Sequence, residues 1–155
     1  MSDPETPTAP RLFPDDAAIH RIGEGLLDRS LPRADWTHEA HLAATTWLLR
    51  DRRDIDVDAT IATIISTYNK AVGGVNDDTG GYHDTITRAF VAGIRAHLAA
   101  RDPSEPIVGS VNALLESPAG QRDWPLRFYS SALLFSVAAR RGFVPPDLAP
   151  LPAAC

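Results

Sequence analysis

His38 and His41, three residues apart in the segment WTHEAHL, have the most chemically suggestive spacing in this chain. On a helix, residues i and i+3 lie on one side about a turn apart, so both imidazoles can meet the same ligand. Helical geometry puts His38, His41, Leu42, Thr45, Leu48 and Leu49 on one inward stripe and directs Glu39 elsewhere. A third histidine, His83, heads a second stripe of Ile86, Thr87, Phe90, Ile94 and Leu98, with Asp84 off that face. Three such imidazoles support two kinds of chemistry. As ligands, His38, His41 and His83 would form a three-histidine face on a divalent transition metal (Zn, Fe, Cu or Ni), with positions open for water or substrate. As metal-free catalytic groups, the same three would titrate near neutrality and move a proton or hold a substrate oxygen. Tyr68, Tyr82 and Tyr129 add hydroxyls, Asn69 and Asn76 add amides, and Arg127 adds a charge for a carboxylate or phosphate. Those six are the candidate substrate-binding residues. A structural reading stands beside both: a histidine near a helix start can bond a neighbouring backbone group, and buried Tyr and Asn often serve as pins.

These residues can meet only if the right elements carry them. The apolar period is helical almost throughout and predicts helices near 15–28, 37–52, 57–72, 82–101, 105–117 and 125–141. Asp15 or Asp16, Thr37, and Asp56 or Asp58 are the expected caps of the first three. Gly73-Gly74 should end the third, Asp102-Pro103 the fourth and Pro118 the fifth, with Pro125 in the first turn of the sixth. No segment alternates like a strand leading into a hairpin turn. The expected fold is all-α, a single-domain bundle of five or six mostly antiparallel helices. Short connections would bring the start of helix two, the end of helix three and the starts of helices four and six to one end, where the candidate residues gather.

Around this bundle, residues 1–14 hold Pro4, Pro7, Pro10 and Pro14 and read as a flexible tail. Residues 15–143 form the helical domain. Residues 144–155 read as a Pro-rich strap whose Val144, Leu148 and Leu151 should pack on it. A length of 155 residues suits one domain with one real core. A net charge of −5 does not favour nucleic acid or anionic membranes, and no apolar run approaches a membrane span. A single cysteine, Cys155, excludes a disulfide framework within one chain. The first residues show no basic-then-apolar leader, so a cytoplasmic location is expected. Arg outnumbers Lys fourteen to one, a bias expected of a GC-rich bacterial genome.

At WTHEAHL, YNKAVGGVNDDTGGYHDTIT and FYSSALLFSVAARRGFVPPDLAPLP the chain resembles a family of small, uncharacterised bacterial helical proteins, across most of residues 32–152. The resemblance implies motif positions at Trp36, His38, His41, Tyr68, Asn69, Asn76, Tyr82, His83, Thr85, Tyr129, Ser130 and Arg140; it implies no reaction. The expected function is a small-molecule enzyme or ligand-binding protein with a His-rich pocket, metal-dependent in one of its forms. The alternative is a non-catalytic interaction or regulatory module with a structural polar core. The first predicts a concave pocket that the imidazoles face, the second a continuous exposed apolar surface.

Overall fold

In the computed structural model, which describes residues 9–153, each of the first helices begins where a side chain can satisfy its free amides. α1 (Asp16–Asp28) is capped by Asp15, which accepts from Ala18 N at 2.9 Å. α2 (His38–Asp51) is capped by Thr37, accepting from Ala40 N at 3.1 Å. α3 (Val57–Ala71) is capped by Asp56, and α4 (Asp84–Ala99) by His83 itself. α5 (Ile107–Glu116) follows Pro106 and borrows its acceptor from another helix: Asp16 takes Val108 N at 2.9 Å. These caps serve the donors that a helix start would otherwise leave unpaired.

The packing explains why α2 carries so many small residues. It contacts α1, α4 and α5, and Ala40 and the run Leu42–Leu48 are all buried. Trp47, on the face opposite the histidine stripe, fits only because Gly23 of α1 has no side chain there. The main core joins α1–α5 through Ile19, Leu26, Leu42, Leu48, Ile61, Ile94, Val111 and Leu114. A second core lies between α4 and the C-terminal segment, with Ala89, Trp124, Tyr129 and Leu134 buried in it.

The sequence-predicted helix 125–141 does not form as one helix. Residues 118–120 and 124–127 are 3-10 turns, and two short helices follow, α6 (Ser131–Leu134) and α7 (Val137–Arg141). Ser130 and Ser136 cause the breaks. Both are extended, and their hydroxyls accept from Leu133 N and Ala139 N at 3.2 Å each. A serine that caps a new helix cannot also continue the old one. Among the described residues the protein is all-α, with seven α-helices and no strand, and no helix is long and apolar enough to cross a membrane.

The two ends of the chain are held by specific bonds. Phe13 N donates to Asn112 Oδ1 and Asn112 Nδ2 donates to Phe13 O, both at 2.9 Å, so the chain is fixed to α5 from Phe13 onward. The part of the expected tail in residues 1–8 lies outside the described residues. At the other end Val144 and Leu151 pack on the second core, but Leu148 is 60% exposed, contrary to expectation. Its backbone is what holds it: Leu148 N donates to Phe128 O at 2.9 Å, and Asp147 accepts from Ser130 N at 2.7 Å.

Candidate functional site

The first turn of α2 borders a surface cleft of about 420 Å³; of the histidine stripe only His38 lines it, and His41 lies behind Trp36, outside its walls. Its walls include Arg11, Trp36, Thr37, His38, Glu39 and Arg122. The volume falls in the roughly 300–1,000 Å³ range of small-molecule sites. Trp36 follows a 3-10 turn over Arg33–Asp35 and is braced on two sides. His41 stacks on it with ring centres 3.8 Å apart, and Tyr68 lies at 5.2 Å. Tyr68, fully buried at the end of α3, donates its hydroxyl to Leu31 O at 2.7 Å. Its hydroxyl is therefore a pin, and its ring fixes the wall of the cleft.

His38 is the imidazole with chemistry to spare. Its Nε2 lies 2.8 Å from Gly120 O, and a carbonyl can only accept, so Nε2 carries the hydrogen. Burial lowers the ring's pKa, opposed by the bond to Gly120, and the charge on Arg122 lowers it further. A neutral ring protonated at Nε2 leaves Nδ1 as a bare acceptor, without a hydrogen-bond partner among the described residues. Phe90 of α4 meets the ring edge-on at 5.5 Å. His41 is neutral as well: burial, with the charge of Arg122, pushes it down to about 3.

His83 does not join them. It caps α4, with Nδ1 accepting from Ile86 N at 3.1 Å and Nε2 donating to Leu134 O at 2.8 Å. Both nitrogens are engaged, so none is left for a metal or substrate. The physical reason is register. His38 faces Phe90, seven residues beyond His83, which is about 10 Å along a helix. The helices pack side by side without their ends being level. Among the described residues, no group of three or more His, Cys, Asp or Glu side chains could hold a metal ion. The expected three-histidine metal face is not assembled.

The other expected substrate-binding residues serve the loop between α3 and α4 and the C-terminal segment. Asn69 donates to Asn76 Oδ1 at 2.9 Å, the same oxygen accepts from Tyr82 N at 3.0 Å, and Asn76 Nδ2 donates to Ser66 O at 3.0 Å. Tyr82 gives its hydroxyl to Asp84 at 2.7 Å, and burial with that carboxylate raises its pKa. Asp84, expected off the inward face, is buried and also paired with Arg88 at 3.0 Å. Arg140 donates to Gly81 O at 3.0 Å, and Arg141 grips Asp78 with two bonds of 2.7 Å. Tyr129, fully buried, donates to Val144 O at 2.6 Å. Arg127 is exposed and lies outside the lining of the cleft.

Trp36, His38, His41 and Tyr68 are thus brought together, whereas Asn69, Asn76 and Tyr82 form a separate clamp and His83 is tied to Leu134. Sequence reasoning missed Arg11 and Arg122 and directed Glu39 away from a cleft that it lines. Arg11 and Arg122 lie in irregular segments, where helical spacing carries no information. Glu39 reaches the cleft because the cleft wraps the start of α2 and does not follow one face of it. A second groove of about 450 Å³, lined by Leu48, Leu49, Ile55, Val57 and Leu98 among others, holds no histidine. Comparison with protein-family models, curated proteins and solved structures finds no match.

Proposed function

We propose that this chain binds a small molecule in the cleft at the start of α2, with His38 as its acceptor or general base. The observation that supports it is the orientation of His38. The bond from Nε2 to Gly120 O fixes the tautomer and leaves an unprotonated Nδ1 on a residue that lines a ligand-sized cleft. A neutral imidazole held by a carbonyl is the arrangement from which histidines accept protons. Trp36, braced by His41 and Tyr68, supplies a rigid wall for an apolar part of the ligand.

An NMR screen of neutral, cationic and anionic metabolite-sized compounds against the labelled chain tests this reading. Binders should shift the amides of Thr37, His38 and Glu39 saturably, and His38→Ala should weaken them by about tenfold. A screen in which no compound shifts those amides would overturn it.

A second reading, an interaction module, has its own support in the exposed side chains of Phe135 (61%), Val137 (45%) and Phe143 (47%) around α6 and α7. A partner docking there would shift the amides of Phe135, Val137 and Phe143 and leave those of the cleft in place.

A further inference from the structure

The charges around the cleft narrow its ligand to a chemical class. We infer that the cleft takes a small hydroxylated oxyanion, a carboxylate or a phosphate ester, held by Arg11 and Arg122; this rests on the cleft being the binding site proposed above. The chain as a whole carries −5, yet the cleft reverses that sign. It holds two guanidiniums against the single carboxylate of Glu39, and its imidazole is uncharged.

Seven of the twelve other arginines are already committed to carboxylates, Arg50 through Asp51 at 3.2 Å. Arg21, Arg52, Arg88, Arg95, Arg101 and Arg141 are all ion-paired at 3.0 Å or less. Arg11 and Arg122 make no ion pair among the described residues. Arg122 is close enough for its charge to lower both His38 and His41. A guanidinium presents a planar fork of donors that matches the oxygens of a carboxylate or phosphate. The amides that open α2 beneath the cleft add a dipole of the same sign.

His38 supplies the second half of the specificity. Its Nδ1 can only accept, so the molecule that satisfies it must carry a donor as well as the anion. A hydroxy acid, or the phosphate ester of an alcohol, has both. Trp36 would cover the carbon skeleton between the two polar ends.

Lactate, its neutral amide lactamide, and inorganic phosphate are the probes, titrated into the labelled full chain at neutral pH and constant ionic strength. Lactate or phosphate should shift His38, Glu39 and Arg122 saturably, and lactamide should bind at least about tenfold more weakly. The stronger of the two anions identifies the headgroup. Arg122→Gln should cost about tenfold in affinity with the melting temperature unchanged, Arg122→Lys should recover part of it, and Arg53→Gln should have no effect. If lactamide binds as well as lactate, or Arg122→Gln binds like the parent, the oxyanion inference is overturned while the cleft remains a small-molecule site. If no probe shifts those residues, the inference is overturned as well, and the broader screen alone decides whether the cleft binds anything.

Discussion

His83 and His38 make the same kind of bond, ring nitrogen to backbone carbonyl at 2.8 Å, with opposite consequences. His83 spends its second nitrogen on Ile86 N, and His38 keeps its own. His83→Ala should therefore act on stability alone. It removes a helix cap and leaves Leu134 O without its donor, a cost of about 1–3 kcal/mol by urea denaturation, with unchanged ligand response at His38. His41 predicts a pH effect. Its pKa is about 3 in the fold against an ordinary value near 6.5, so the unfolded chain takes up the proton first. That contribution is fully present above about pH 6.5 and is lost as pH falls toward 3, by up to about 1.4 kcal/mol per pH unit. His38 and His83 are lowered too and act in the same direction. Urea midpoints should fall between neutral pH and pH near 5, and His41→Phe should flatten the slope. A midpoint that does not move would show that the imidazoles are solvated. The nearness of His38 and His41 was legible because it is local, but only His38 reaches the cleft, while His41 stacks on Trp36. The separation of His83 was not legible, because it depends on how far α4 slides past α2.

Caps account for most of what the sequence revealed about the elements. Asp15, Thr37 and Asp56 each sit one residue before a periodic apolar run, and each heads a helix within a residue or two of expectation. Ser130 and Ser136 defeated the same reasoning. They lie inside an apolar run whose helical period survives the breaks, so pattern alone reads through them. Tertiary bonds then hold the broken segment in place: Leu134 O is claimed by His83, and Gly142 O and Val144 N by Thr85, at 3.0 and 3.1 Å. Thr85 is thus the joint between α4 and the strap. Thr85→Val keeps the shape and removes both bonds, and should cost about 1–3 kcal/mol in urea denaturation. Leu148→Ser, at an exposed side chain of the same strap, should change stability by less than about 0.5 kcal/mol. Equal effects from the two would mean that the strap is held by apolar contact and not by Thr85.

At the scale of the molecule, the all-α architecture follows from periodicity, but the cleft does not. Its walls come from three separate stretches, residues 9 and 11, 36–39 and 122, which no local spacing connects. They meet because α2 is buried by α1, α4 and α5 along its length, leaving its first turn as the part with room beside it. The residues singled out from the sequence then divide into two groups. Most clasp irregular segments to the bundle, and the few around Trp36 and His38 shape the opening. The proposed binding in the cleft depends on His38 being a neutral ring protonated at Nε2. Long-range nitrogen–proton correlation NMR of the imidazoles reads that state directly. At neutral pH His38 should show a protonated Nε2 and a bare Nδ1, and Nδ1 should respond to lactate or phosphate while the ring of His83 does not. A His38 protonated at Nδ1, charged at neutral pH, or indifferent to every ligand that enters the cleft would contradict that role.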